Sequence, residues 1–296
     1  MQTHLQRQLG ITLVVAAAIA WSTAPFFTRL LHLDSWTILF WRGLSGGGCI
    51  TAFLVLTRGR AGLRDLAETG KSAWLVACLS TLGMVTFIPA LQLTNVSNVA
   101  IIIATGPFAA AGIAWIWLRE PTRPSTLIAG LVALCGIAII VGSPGGAADI
   151  RGIGLACIMM VAIAAMTVAI RRHRQSSMVA AAALSNFLGS LVSIPFAQGL
   201  ADVTGRDLAV LAMFGLFQVG MGLTLFVLGS RLLPSGQASL IATLETPLMP
   251  FWVWLAFDEL PTPRALIGGS LVMGAVVADI IADNWARAQT GTTINR

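Results

Sequence analysis

Ten apolar stretches, each about as long as a membrane crossing, limit this chain to very few folds. They cover residues 10–30, 35–56, 72–93, 97–118, 125–143, 152–171, 177–199, 207–229, 236–257 and 263–283. A helix of about 20 apolar residues spans a ~30 Å hydrocarbon core. The connectors are short and carry helix breakers, as in SPGG at 143–146. Charged residues are 10% of the chain and hydrophobic ones 56%, whereas soluble domains carry about 25% charge. The expected fold is an all-α integral membrane protein with ten transmembrane helices.

The net charge of +6 does not point to nucleic acid, because the basic residues sit in connectors and form no basic face. Cys49, Cys78, Cys135 and Cys157 lie inside apolar runs without CxxC spacing, so they read as small buried hydrophobes. His4, His32 and His173 fall at run ends and build no cluster. No metal or other cofactor is expected, and no catalytic role: no connector holds a soluble active site, and the runs lack a histidine or a second mid-depth acid for a membrane protease. The first run has the beginnings of a signal peptide. It continues through Trp21 and Pro25 to Phe27, so we read it as a retained helix.

Loop charge gives the orientation. With the N-terminus inside, the inside segments hold Arg7, Arg58, Arg60, Arg64, Lys71, Arg119, Arg123, Arg171, Arg172, Arg174, Arg231, Arg287 and Arg296. The outside segments hold only Arg29, Arg151, Arg206 and Arg264. Both termini are therefore expected in the cytoplasm, and the chain in a bacterial inner membrane. Seven tryptophans lie near run ends, where an interfacial belt belongs; Trp21 and Trp41 do not.

The two halves repeat. At an offset of 139, Trp115 falls on Trp254, Glu120 on Glu259, Pro124 on Pro263 and Gly130 on Gly269. At 142, Gly10 falls on Gly152, Arg29 on Arg171 and Gly47 on Gly189. At 137, Gly83 falls on Gly220 and Thr81 on Gln218. The units are 1–146 and 147–296. Each has five helices, an odd number, so the second copy enters the membrane from the opposite side. Inverted repeats of this kind build many secondary transporters, with the substrate site at the midplane.

A helix ending in glutamate, a short Pro-containing turn and then L-I-x-G, seen twice, resembles the EamA family of the drug/metabolite transporter superfamily. The resemblance covers nearly the whole chain and is strongest to the aromatic amino-acid exporter branch. It implies that helices one to four and six to nine surround a central cavity, with five and ten outside. It also implies a proline thirteen residues before the closing glutamate. Pro107 fits before Glu120; in the second half that slot is Thr246, and the proline stands at Pro247. Glu245 matches the glutamate of the family's common Glu-Pro pair, with threonine in the proline's place.

Polar or aromatic residues at mid-depth are the candidates for the cavity wall. They are Trp21, Thr23, Trp41, Thr81, Thr105, Met166, Thr167, Gln218, Thr243 and Glu245. Each has a plainer reading. A membrane threonine commonly bonds the carbonyl one turn back. Gln218 and Asn186 are also the kind of residue that glues helices together. Trp21 and Trp41 are either packing or a stacking wall for an aromatic substrate. Glu245, the single mid-depth acid, is either tied to local polar groups or a proton or ammonium site. Arg42 either snorkels to the interface or holds a substrate carboxylate. Pro25, Pro107 and Pro247 bend their helices and free carbonyls. TGKS at 69–72 lacks the first glycine of a phosphate loop and is no nucleotide site.

The expected function is export of small metabolites, neutral or aromatic amino acids, by alternating access. The expected partners are the substrate and the bilayer, and the expected state is a monomer. The alternatives are a multidrug or other metabolite exporter of the same superfamily, or a non-transporting membrane receptor. A cationic drug exporter of the small relatives uses a glutamate in the first helix, and the first run has none.

Overall fold

The structure, a computed structural model, describes residues 4–67, 70–93, 99, 102–141, 150–173, 178–257 and 263–293. Helices account for nearly all of them, and there is no strand among the described residues. The first half runs α1 (His4–Ser22), α2 (Ala24–Leu30), α3 (Ser35–Arg58), α4 (Arg60–Ala67), α5 (Lys71–Leu93), α6 (Gly106–Leu118) and α7 (Pro124–Val141). The second runs α8 (Ile150–Arg172), α9 (Met178–Ser193), α10 (Gly205–Phe214), a π-helical segment (Gly215–Met221), α11 (Gly222–Ser230), α12 (Ser235–Ala242), α13 (Glu245–Phe257) and α14 (Pro263–Thr293). Glu259, the expected end of the ninth run, lies outside the described residues.

Among the described residues, six spans are long and apolar enough to cross a membrane: Leu5–Thr28, Ser35–Arg58, Ile150–Arg172, Met178–Phe196, Gly205–Ser230 and Leu266–Asp283. Lys71–Phe87, Gly106–Leu118 and Pro124–Ile139 are shorter apolar helices. The ninth run is split into α12 and α13, and the fourth is described mainly by α6, with part of it outside the described residues.

The interruptions share one local structure. Thr23, Thr105 and Thr243 each turn their hydroxyl onto the carbonyl three residues back, at 2.6 Å in every case (Ala20, Ile102 and Leu240). Their backbone N–H groups also bond those same carbonyls, at 3.3, 3.1 and 3.1 Å. This is a tightened turn in place of the α-helical ladder. Proline explains why the ladder stops. Pro25 and Pro107 stand two residues beyond Thr23 and Thr105, and Pro247 four beyond Thr243. Each lacks the N–H that would satisfy the carbonyl four positions back. By contrast, Pro89 is accommodated inside α5.

Helix pairing follows the repeat. The third run (α5) packs on the sixth (α8), and the eighth (α11) on the first (α1). The fourth (α6) packs on α8 and the ninth (α12, α13) on α1. The second and seventh (α3, α9) pair, as do the fourth and ninth (α6, α12) and the fifth and tenth (α7, α14). Exchanging every run for its counterpart leaves this pattern unchanged, as two equivalent halves related by a pseudo-twofold require.

The α7–α14 pair lies to one side. Ile128, Leu131, Leu266, Ile267 and Val277 on these helices are exposed, whereas Ala133, Ile137, Val272 and Val276 are buried between them and the body. The contact is close at Gly136, where an added Cβ would lie 2.6 Å from the Gly268 carbonyl oxygen. The shifted proline is also resolved in space. Pro107 packs on Gly130 and Pro247 on Gly269, so both prolines meet the repeat-equivalent glycine despite the one-residue shift.

Candidate functional site: a cavity at the broken helices

A cavity of about 630 Å³ beside the α1–α2 break opens onto the apolar outer surface, where Ile19, Met221 and Leu255 of its wall are exposed. Its wall comes from α1 and α2 (Ile19, Thr23, Phe27), the π-helical segment and α11 (Phe217, Met221, Leu225) and α13 (Trp252, Leu255). It is almost wholly apolar. The Trp252 indole N–H donates to Ser22 Oγ at 2.7 Å, which ties α13 to the end of α1. Ser22 is fully buried and its own hydroxyl donates to the Ile19 carbonyl at 2.6 Å. The break in the first run therefore carries a hydrogen-bonded corner on which the cavity wall is fixed.

Of the residues expected in a cavity wall, Thr23 lines this one. Trp21 stands beside it, with its ring 4.9 Å from Phe226 and its indole packed into the space left by Gly222. Trp41 packs against the cluster of Phe27, Leu31, Leu211 and Phe214, and its indole N–H is buried without an acceptor among the described residues. Thr81 donates to the Ala77 and Ser185 carbonyls at 2.9 and 3.1 Å, joining α5 to α9. Met166 and Thr167 are buried in the body of the bundle, and Thr167 bonds the Ile163 carbonyl at 3.0 Å. Thr105 and Thr243 form the breaks described above. Glu245 is half-buried at the first turn of α13 and makes no hydrogen bond or ion pair among the described residues.

Gln218 sits in the π-helical segment, where its Oε1 accepts from Arg42 Nη1 at 3.5 Å. The Arg42 guanidinium also lies 5.2 Å from the centroid of the buried Phe214 ring. A cation over an aromatic ring gains about 0.5–2 kcal/mol. An arginine within a membrane helix costs about 2.5–3.5 kcal/mol on insertion scales, so the ring offsets only part of the burial.

Trp252, one of the seven tryptophans near run ends, also lines the cavity beside the α1–α2 break. Its spacing carried a signal: it stands seven residues after Glu245, two turns along the same face of α13.

One end of the molecule is cross-tied by charge. Arg171 donates to Glu120 at 3.2 Å and to the Arg231 carbonyl at 3.0 Å, joining α8 to the ends of α6 and α11. Arg172 donates to the Trp117 carbonyl at 2.8 Å and lies over the Trp117 ring at 5.4 Å. Near the same end, Asp283 pairs with both Arg7 and Arg123. Asp279, one turn earlier, accepts from Thr126 at 2.9 Å and Gln237 at 3.1 Å. These contacts link α1, α7, α12 and α14. A smaller cavity of about 260 Å³ lies between the ends of α3 and α11 and the start of α9, with Arg58 and Arg231 on its rim.

No metal-binding group of His, Cys, Asp and Glu occurs among the described residues. No curated protein matches the chain. A solved structure described only as "Crystal structure of protein" superposes with a TM-score of 0.82 at 18% identity, covering 93% of this chain and 98% of its own. That likeness concerns the fold. The model of the EamA-like transporter family matches twice, over residues 8–142 and 150–278, once for each half of the pairing pattern. The chain is a multi-pass membrane protein and belongs to the EamA-like transporter family.

Proposed function

We propose that this protein is a secondary transporter that exports neutral or aromatic amino acids by alternating access. Its two five-helix units, 1–146 and 147–296, lie inverted to each other in ten crossings. Both termini face the cytoplasm of a bacterial inner membrane, and the protein works as a monomer.

The exchange-symmetric helix pairing carries this reading. Two equivalent halves supply two equivalent closures, one at each membrane face. In this reading the Glu120–Arg171 and Arg7–Asp283–Arg123 end is the cytoplasmic face, held shut. The breaks at Thr23, Thr105 and Thr243 supply the points at which these helices can hinge. The cavity beside Thr23 and Trp252 offers an apolar, aromatic-rich wall suited to a hydrophobic side chain.

The test is flux in proteoliposomes. Purified protein should move phenylalanine, tryptophan or leucine down a gradient, and Trp21→Ala, Trp41→Ala and Gln218→Ala should slow it. Wild-type vesicles that pass none of these sink the amino-acid reading; flux of lipophilic cations instead supports the multidrug alternative. Flux indifferent to an imposed pH gradient removes any coupling role from Glu245.

A further inference from the structure

We infer that Arg42 and Gln218 form a subsite for a carboxylate on the transported molecule. The inference deepens the transporter reading above and rests on it for its setting in a substrate path.

Arg42 stands seven residues inside α3, about 10 Å from its start at a rise of 1.5 Å per residue. A snorkelling arginine would turn back to that near end, but this side chain goes the other way. The Arg42 carbonyl is level with Gly215, where an added Cβ would lie 2.7 Å from its oxygen. The guanidinium meets Gln218, nearly a turn further along the neighbouring segment. It is carried deeper into the protein.

No carboxylate pairs with Arg42 among the described residues, and its Nε is buried without an acceptor. One face of the guanidinium is covered by Phe214. The Gln218 Oε1 accepts one N–H, and the Gln218 Nε2 donates to nothing among the described residues. The pair therefore presents guanidinium and amide donors and lacks a negative acceptor. A guanidinium fork suits the two oxygens of a carboxylate. One cation matches one carboxylate charge, whereas a phosphate dianion would be left in excess.

The repeat sharpens the assignment. Gln218 corresponds to Thr81, and Arg42 corresponds to Leu184, next to Ser185. In the first half the matching contact is the neutral bond from Thr81 to the Ser185 carbonyl. That bond is enough to hold the helix pair together. The charged version in the second half is therefore not required by packing.

The test uses the full-length purified protein in detergent and three acid–amide pairs: phenylalanine and phenylalaninamide, leucine and leucinamide, 3-phenylpropionate and 3-phenylpropionamide. Calorimetric titration should show the acid of at least one pair binding about tenfold tighter than its amide or more. Arg42→Gln should erase that preference, and Arg42→Lys should weaken it. Equal binding of acid and amide, no binding of any acid, inorganic phosphate binding as well as the acids, or a preference that survives in Arg42→Gln overturns the subsite. The wild-type comparison decides even if the variants do not fold. Acid-selective binding without flux leaves the subsite standing and removes the transporter reading; flux without acid selectivity does the reverse.

Discussion

Pro247 lies against Gly269 so closely that a Cβ added at that glycine would sit 3.1 Å from the proline Cβ. The counterpart contact is looser: at Gly130 an added Cβ would lie 3.4 Å from Phe108 and 3.6 Å from Pro107. Gly269→Ala should therefore cost about 1 kcal/mol of stability and Gly130→Ala much less, because overpacking is felt only where neighbours cannot yield. Thermal unfolding of the two variants in one detergent checks this. Equal losses would show that the one-residue shift of the proline has no mechanical consequence.

Trp252 and Ser22 make a direct hydrogen bond across the cavity corner. Trp252→Phe and Ser22→Ala should each cost about 1 kcal/mol. The double variant should cost clearly less than their sum, since both changes delete one bond. Full additivity would remove the bond as the reason Trp252 is held there.

Asp283 and Asp279 stand one turn apart on α14 but do different work. Asp283 pairs with Arg7, which is 1% exposed, so Asp283→Ala strands a buried cation and should cost about 3–5 kcal/mol. Asp279→Asn keeps an acceptor for Thr126 or Gln237 and should cost only about 1–3 kcal/mol. Denaturation of the two variants measures the order, and the reverse order rejects it.

Glu120 and Arg171 are 28% and 12% exposed. Partial exposure screens the pair, so a double-mutant cycle with Glu120→Gln and Arg171→Gln should give a coupling of only about 1 kcal/mol. The larger effect is expected on state. Weakening the tie should raise cysteine labelling at Arg231→Cys from the face that carries Arg171. Unchanged labelling would falsify its part in closing that end.

His173 follows α8 and is half-buried beside Trp117. Burial first, and then the Arg172 charge, hold its imidazole below the ordinary 6.5. The folded protein thus favours the neutral ring. The stability this contributes is present above pH 6.5 and is lost as pH falls through the lowered folded value. Unfolding temperatures between about pH 8 and pH 5 should therefore fall less steeply in His173→Asn than in wild type. Parallel curves reject the effect.

The sequence by itself determined the membrane setting, the all-helical class and the duplication. Lipid offers no partner for a backbone polar group, so apolar length alone dictates helices there, and matched tryptophan, glutamate, proline and glycine reveal the repeat. Pro25, Pro107 and Pro247 stand at or just after breaks, but Pro89 lacks an N–H too and sits inside α5, so a proline marks where a helix can break and packing decides whether it does. The tertiary structure decided which side chains meet. Thr81 and Gln218 occupy matching positions in the repeat, yet the Thr81 hydroxyl bonds a backbone carbonyl while the Gln218 side chain faces Arg42. Trp252 reaches Ser22 because α13 begins anew at Glu245, and the bend there sets which way its face turns. The Arg7–Asp283–Arg123 cluster joins residues from both ends of the chain, and no local pattern announces such a contact. Periodicity and breakers act within one helix, whereas the site depends on the angles between helices, which packing alone sets.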